Sequence, residues 1–331
     1  MVAPLMLWRG RPVLVTGASG LIGSHLVSRL VDAGADVTVL VRDLDGASPL
    51  AAIVGAGRCR VVRGVLEAYA DVERAFVESD ARTVFHLGAQ TLVPVAARIP
   101  LATFAANVMG TAHVLEAVRR HGKVAHVIVA SSDKAYGSAG EHPYTEELPL
   151  RGAQPYDASK AAAETLIRSY GGAYGVAVAT LRCANTYGPG DLNWSRLIPG
   201  ALRAALRGEV LEIRSDGAPV RDYIHVTDVV SAYLLVAERF DAEGLAGAVF
   251  NVGTEHATSV LEVLDTLDEV LRVGGVGALK RRVLGIAEHE IPFQVLDSSR
   301  IRSRLGWHPS VSLADGLRET LPWYRTLLGA T

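Results

Sequence analysis

The chain has 331 residues, with 33 basic and 35 acidic side chains, a net charge of −2, and 49% hydrophobic against 21% charged residues. That balance excludes intrinsic disorder and collagen-like repeats, and the length allows a large buried core without disulfide or metal staples. No stretch concentrates Lys and Arg as a nucleic-acid backbone requires, no apolar run reaches the roughly 18 residues of a membrane span, and Cys59 and Cys183 match no metal or redox spacing.

Met1–Trp8 is apolar but too short for a signal peptide, and it runs directly into Arg9, so a soluble cytoplasmic protein is expected. Pro12–Thr16 then reads as a buried strand, Leu21–Ala33 as a helix ending at Gly34, Val37–Val41 as a second strand and Arg60–Arg63 as a short third. Asp71–Ser79 is helical, Thr83–Leu87 is a fourth strand, and Leu101–His121 is a long helix ending at Gly122. Val124–Ala130 is a fifth strand, Pro155–Tyr170 a helix that Gly171, Gly172 and Tyr174 would terminate, and Val176–Leu181 a sixth strand. Apolar strands alternating with amphipathic helices predict an α/β fold, a parallel sheet covered on both faces. The alternation breaks after Arg182. Two loops punctuated by Gly and Pro and one helix, Leu197–Arg207, follow, then a strand-like Ala248–Asn251 and a mixed tail from Thr258. The expected division is a parallel-sheet domain over 1–184, with 224–255 returning to it, and a smaller α/β lobe from 185–223 and 256–331.

Three segments carry chemistry. Gly17-Ala18-Ser19-Gly20-Leu21-Ile22-Gly23 lies between the first strand and the first helix, where a pyrophosphate would rest on the helix N-terminus. Its spacing is GxxGxxG, and a glycine-rich turn without a ligand is the plainer alternative. Tyr156 and Lys160 stand at i and i+4 on one helix face, where an ammonium would favour the phenolate; a solvated helix face is the alternative. Ser131-Ser132-Asp133-Lys134 follows the fifth strand, at the carboxyl edge where open parallel sheets bind ligands; an ordinary surface ion pair is the alternative. Lysine is scarce: only Lys123, Lys134, Lys160 and Lys280 occur among the 33 basic residues, and two of the four fall in these segments. Lysine can lose its proton, and arginine cannot. The ten histidines show no metal-ligand spacing, and His86 reads as a packing or cofactor-edge residue.

Together these segments resemble the extended short-chain dehydrogenase/reductase family that acts on nucleotide sugars, over essentially the whole chain. Phe85–Gln90, Asn107–Thr111, Arg182–Gly190, Arg221–Asp228 and Leu305–Pro309 fit it as well. The resemblance implies a Rossmann-type doubly wound fold, NAD as cofactor, a nucleotide-diphosphate sugar as partner, and Ser132, Tyr156 and Lys160 as a catalytic triad. It implies cofactor contacts from the glycine segment (Gly17, Ser19, Gly20, Leu21, Ile22, Gly23), and from Leu66, Leu87, Ala89, Gln90, Asn107, Tyr156 and Lys160. Substrate contacts would come from Gln90, Ser132, Leu197, Ile198, Arg203 and Ile213, with Asn185 and Arg221 holding the diphosphate. Epimerases of this type usually carry small or apolar residues after the serine. Asp133-Lys134 and the stretch Asp191–Pro199 instead resemble the 4,6-dehydratase branch that includes CDP-glucose 4,6-dehydratase. There Lys134 would be the base at C5 and Asp133 the acid at the C6 hydroxyl. A C4 epimerase of the UDP-glucose or UDP-glucuronate type is the rival reading, and a non-catalytic dinucleotide-binding protein a remote one.

Two positions depart from the family pattern. Val41 stands where an acid often binds the adenosine ribose, and the neighbouring Arg42 could meet a 2′-phosphate, so NADP stays open beside NAD. Val65 stands where relatives often place an adenine-contacting aspartate. A homodimer is expected through a four-helix bundle of Leu101–His121 and Pro155–Tyr170, with Ala112, Leu115 and Ala161–Ala163 supplying small apolar surface.

Overall fold

The computed structural model describes residues 7–286 and 290–330, so most of the apolar stretch Met1–Trp8 lies outside the described residues. Six strands follow one another in the first half: β1 (Pro12–Thr16), β2 (Asp36–Val41), β3 (Arg60–Arg63), β4 (Thr83–His86), β5 (His126–Ser132) and β6 (Val178–Cys183). With Val249–Val252 they form one seven-stranded sheet in the order Val249–Val252, β6, β5, β4, β1, β2, β3. Every pairing is parallel. The central strands carry apolar side chains on both faces because helices cover both. Strand order reverses between β1 and β4, which opens a crevice at their carboxyl ends. This is the doubly wound, Rossmann-type architecture.

A second apolar core gathers Tyr187, Ile198, Leu202, Leu264, Leu267, Leu271, Leu317 and Tyr324. Its helices are Leu197–Arg207, Val260–Val273 and Leu313–Leu328. Short strands join the two cores. Asn185–Tyr187 pairs with Tyr223–His225, and Val220–Arg221 lies between Thr258–Ser259 and Phe293–Gln294.

Several elements differ from the expectation. Helices Pro49–Gly55, Val93–Arg98 and Val226–Arg239 are additional. The last follows a strand with no Gly or Pro between them, and its β-branched start hides the boundary. The helix from Pro155 passes straight through Gly171 and Gly172 to Tyr174, and stops at Gly175, whose φ of +67° is the left-handed signal. Strand β5 runs on to Ser132, so the serine is the last ladder residue.

The helix Pro100–His121 has 22 residues and a mean hydropathy of 1.2 in its most apolar window, enough by length and composition for a membrane span. The expectation that no run reaches that length is therefore corrected. Half of that window is buried within the fold, where Val114, Leu115, Ala117 and Val118 pack beneath the sheet. Leu115 is wholly buried and Ala163 nearly so, so neither supplies the exposed surface expected of it. The large exposed apolar side chains on this helix are Leu101 and Met109.

Two histidines are buried beside the sheet. His86 bridges the Thr16 and Thr111 hydroxyls at 2.7 and 3.1 Å, and burial, helped by Lys160, pushes it from 6.5 down to about 3. His126 stacks on Phe240, and burial takes it down to about 4. Both stay neutral in the folded chain, whereas the unfolded chain protonates them near 6.5. Unfolding below that pH takes up protons, so stability falls as pH drops from 6.5 toward 4. In His86→Gln, denaturant titrations between pH 6.5 and 4.5 should show a slope shallower by about 1.4 kcal/mol per pH unit, the loss of one linked proton.

Candidate active site

The crevice at the carboxyl ends of β1 and β4 opens into a cavity of about 820 Å³. One wall is the glycine segment. Gly17 has φ +71°, and a Cβ there would lie 2.5 Å from the Gly88 nitrogen; a Cβ on Gly23 would lie 2.1 Å from the Gly17 carbonyl oxygen. Only glycine lets loop, sheet and helix approach so closely. The helix Leu21–Asp32 that follows has no side-chain cap at Gly20, so its first amides face the cavity with their positive dipole end.

The opposite wall comes from the end of β5 and the helix Pro155–Tyr174. Ser132, Asp133, Lys134, Tyr156 and Lys160 all line it. The Ser132 hydroxyl donates to Asp133 Oδ1 at 2.9 Å and accepts the Lys134 amide at 3.2 Å. Asp133 is only 2% exposed, and its Oδ2 has no hydrogen-bond partner among the described residues. The pair is therefore no surface ion pair. Burial lowers Lys134 below the ordinary lysine value, opposed by Asp133 and assisted by Arg221.

The Tyr156–Lys160 spacing puts both groups on the wall but does not act as expected. Burial pushes the Tyr156 phenol up to about 12; a hydrogen bond with Ser132 and the charge of Arg196 are what oppose it. The Lys160 ammonium donates to the Ala130 carbonyl at 2.9 Å, and burial takes it down to about 8. Desolvation outweighs the neighbouring charge here.

Asn185, Asp191, Arg196, Arg214 and Glu290 also line a second cavity of about 620 Å³, which continues the first into the smaller core. Leu197, Ile198, Arg203, Ile213 and Arg221 line this extension, with Trp194 and Tyr223. The Asn185 side-chain amide is buried without an acceptor among the described residues, and the Arg221 guanidinium donates to Glu290 at 3.3 Å. Of the remaining expected residues, Ser19, Gly20, Leu21, Ile22, Leu87 and Ala89 line the first cavity.

Four expected contacts stand elsewhere. Gln90 turns its side chain onto the Leu92 backbone, accepting from its amide at 2.5 Å and donating to its carbonyl at 3.0 Å. Asn107 lies behind, holding the Gln90 amide and carbonyl and the Ser159 hydroxyl at 2.7–3.0 Å. Leu66 packs on Gly88 and Gly110. Arg42 is largely exposed and pairs with Asp43 at 2.8 Å, away from both cavities. The adjacent carboxylate opposes binding of a second anion there.

The catalytic wall is anchored from beneath. Glu164 and Arg182 form a buried bidentate pair, Nε–Oε1 2.9 Å and Nη2–Oε2 2.7 Å, and Ser131 donates to the same carboxylate at 2.5 Å. Arg182 also donates to the Tyr136 hydroxyl, which donates to Asn251, both at 2.7 Å.

The glycine-rich loop, the wall of Ser132, Asp133, Lys134, Tyr156 and Lys160, and the arginine-lined extension converge on one cleft. The profile of the NAD dependent epimerase/dehydratase family matches residues 13–253. The chain belongs to that family. It is 35% identical over 320 residues to a dTDP-glucose 4,6-dehydratase of Streptomyces griseus, across 94% of this chain and 93% of the relative. Among solved structures it is similar to a dTDP-glucose 4,6-dehydratase from Streptomyces venezuelae crystallised with NAD, with TM-score 0.86, 30% identity, and coverage of 96% and 98%. It is also similar to a UDP-glucose 4-epimerase from Thermotoga maritima, with TM-score 0.82, 29% identity, and coverage of 96% and 99%.

Glu164→Ala would leave Arg182 buried without its partner. It should lower the unfolding free energy by about 3–5 kcal/mol, measured by chemical denaturation.

Proposed function

We propose that the chain is an NDP-hexose 4,6-dehydratase that uses NAD. It would oxidise the sugar at C4, eliminate water across C5 and C6, and return hydride to C6 and a proton to C5 to give a 4-keto-6-deoxy product. The observation that carries this is the Asp133–Lys134 pair, the carboxylate buried and the lysine half-buried, on the same wall as Ser132 and Tyr156. The dTDP-glucose 4,6-dehydratase relative, similar along nearly its whole length, supports the same reading.

The residues present fit the cofactor. The Gly17–Gly23 cradle would take its pyrophosphate, and Leu87, Ala89 and Lys160 line the floor beyond. When bound, NAD supplies a hydride acceptor and donor, so the overall reaction consumes no reductant. Arg42 gives no support to NADP. Gln90 and Asn107 would act by fixing the loop at the cavity floor. Asn185 and Arg221 would hold the diphosphate, and Leu197, Ile198, Arg203 and Ile213 would enclose the nucleoside.

Tyr156 would take the C4 hydroxyl proton, its phenolate stabilised by Ser132 and Arg196. A 4-ketone acidifies the C5 hydrogen. Lys134, lowered by burial, would accept that proton as an amine, and Asp133 would protonate the departing C6 hydroxyl. Both reactions need a base for the C4 hydroxyl; elimination needs in addition a base at C5 and an acid at the C6 hydroxyl, and epimerisation at C4 needs neither of these two. The epimerase of similar fold makes C4 epimerisation the second reading, and under it the buried pair has no task.

Incubation with a panel of nucleotide sugars, followed by mass spectrometry, separates the two. Dehydration removes about 18 mass units, and epimerisation none. Lys134→Arg keeps the charge but cannot accept a proton. It should let reduced cofactor accumulate, seen by absorbance, with dehydrated product formed at least about tenfold more slowly. Near wild-type dehydration by this variant would remove Lys134 from the base role.

We also propose a homodimer through the helices Pro100–His121 and Pro155–Tyr174, where Leu101 is 81% exposed. Light scattering at micromolar concentration should give twice the 35.1 kDa chain mass; a monomer mass would refute it.

A further inference from the structure

The buried end of Gln294 meets both members of the acid–base pair. The residue is completely buried, on the two-residue strand Phe293–Gln294 beside the smaller core. Its Oε1 accepts from the Lys134 ammonium nitrogen, and its Nε2 donates to the Asp133 carbonyl at 3.0 Å. Only this amide orientation satisfies both contacts. Reversed, an NH2 would face the lysine nitrogen and an oxygen would face a carbonyl. The contacts span 160 and 161 positions of sequence, so nothing local imposes them.

The strand carrying Gln294 is also tied to the anion site. Gln294 is in register with Arg221, the Val220 amide donates to Pro292 at 2.8 Å, and the Asp222 amide donates to Gln294 at 3.2 Å. Arg221 in turn holds Glu290, four residues before Gln294. A diphosphate that displaces Glu290 from Arg221 would therefore be held one ladder step from the residue that holds the lysine.

We propose that Gln294 is a positioning residue for elimination: as an uncharged acceptor it holds the Lys134 nitrogen over the cavity, and it couples that hold to the strand that grips the substrate diphosphate. This rests on the dehydratase reading above. A neutral amine has two hydrogens and one lone pair. With one hydrogen donated to Gln294 Oε1, the lone pair stays free to take the C5 proton. A glutamate at this place would instead form a buried ion pair, hold the lysine as an ammonium and leave it no lone pair. It would also set a second oxygen against the Asp133 carbonyl. Glutamine is the side chain of this length that accepts from the lysine without charging it. Among the described residues, the groups that face Lys134 are Gln294, Asp133, Asp157, Arg221 and Glu290. Gln294 is the only uncharged side chain among them.

The chain holds only four lysines, so its lysine side-chain NMR signals can be assigned singly, with Lys134→Arg identifying Lys134. In Gln294→Glu the Lys134 titration should move up by about one pH unit or more, and the rising limb of the dehydration pH profile should move with it. In Gln294→Met, which keeps the volume and cannot accept, dehydration at pH 7.5 should fall about tenfold or more while reduced cofactor still forms. A Lys134 titration unchanged in Gln294→Glu, or undiminished dehydration by Gln294→Met, overturns the proposal. The NMR titration needs no substrate. If no nucleotide sugar is dehydrated by the wild-type protein, the functional reading fails while the titration still decides whether Gln294 governs Lys134.

Discussion

The bidentate Glu164–Arg182 pair fixes the relation between the helix that carries Tyr156 and Lys160 and the strand beside it. Glu164 stands one turn after Lys160, and Arg182 lies on β6, next to β5 and its terminal Ser132. Neither partner reaches solvent, so each is costly alone and tolerable only with the other. Tyr136, Ser131 and Asn251 satisfy the remaining polar atoms, which is what a buried network requires to be stable and specific. Through Asn251 the same network reaches the last strand of the sheet and the Tyr144 backbone. The acid–base wall is thus held from behind by polar contacts, while its front face stays open to the cleft.

Burial then sets the chemistry on that wall. Tyr156, Lys134 and Lys160 all move toward their uncharged forms, because desolvation outweighs the nearby charges. Lysines pushed toward the amine are ready to accept a proton, whereas a tyrosine held as the phenol must lose its own proton before it can take one. The neighbouring smaller core supplies the complementary part. It lines its cavity with arginines and with the Asn185 amide, which has no acceptor among the described residues, and the two regions meet along one continuous cleft.

Much of this was legible in the residues alone. The bounds of Pro12–Thr16 and Arg60–Arg63 follow from apolar runs between turn residues, and Leu197–Arg207 from its one-sided apolar face. The glycine segment could be read because its constraint is local: backbone atoms within a few residues leave no space for a Cβ. Gly171–Gly172 misled because propensity is weak beside tertiary packing, and the helix crosses both. The Tyr156 shift misled for a related reason. Spacing reports which groups are neighbours but not how dry they are. Gln294 and Glu290 carried no signal, since their partners are far away along the chain and only the folded topology brings them together.

The π-helical turn Ala105–Met109 within the helix Pro100–His121 has a consequence of a different kind. Such a turn holds one residue more than an α-helix needs for the same span. It presents Asn107 to the Gln90 backbone and Ser159 while Thr103 before it and Val114 and Leu115 after it stay buried. Deleting any one residue there would let the helix close into regular geometry. Its two halves would then rotate against each other by about 100°, and one end would lose its buried face. The count of residues across this turn is therefore as much a part of the site as their identities. A graft of this helix into another scaffold must conserve that number before it conserves any side chain.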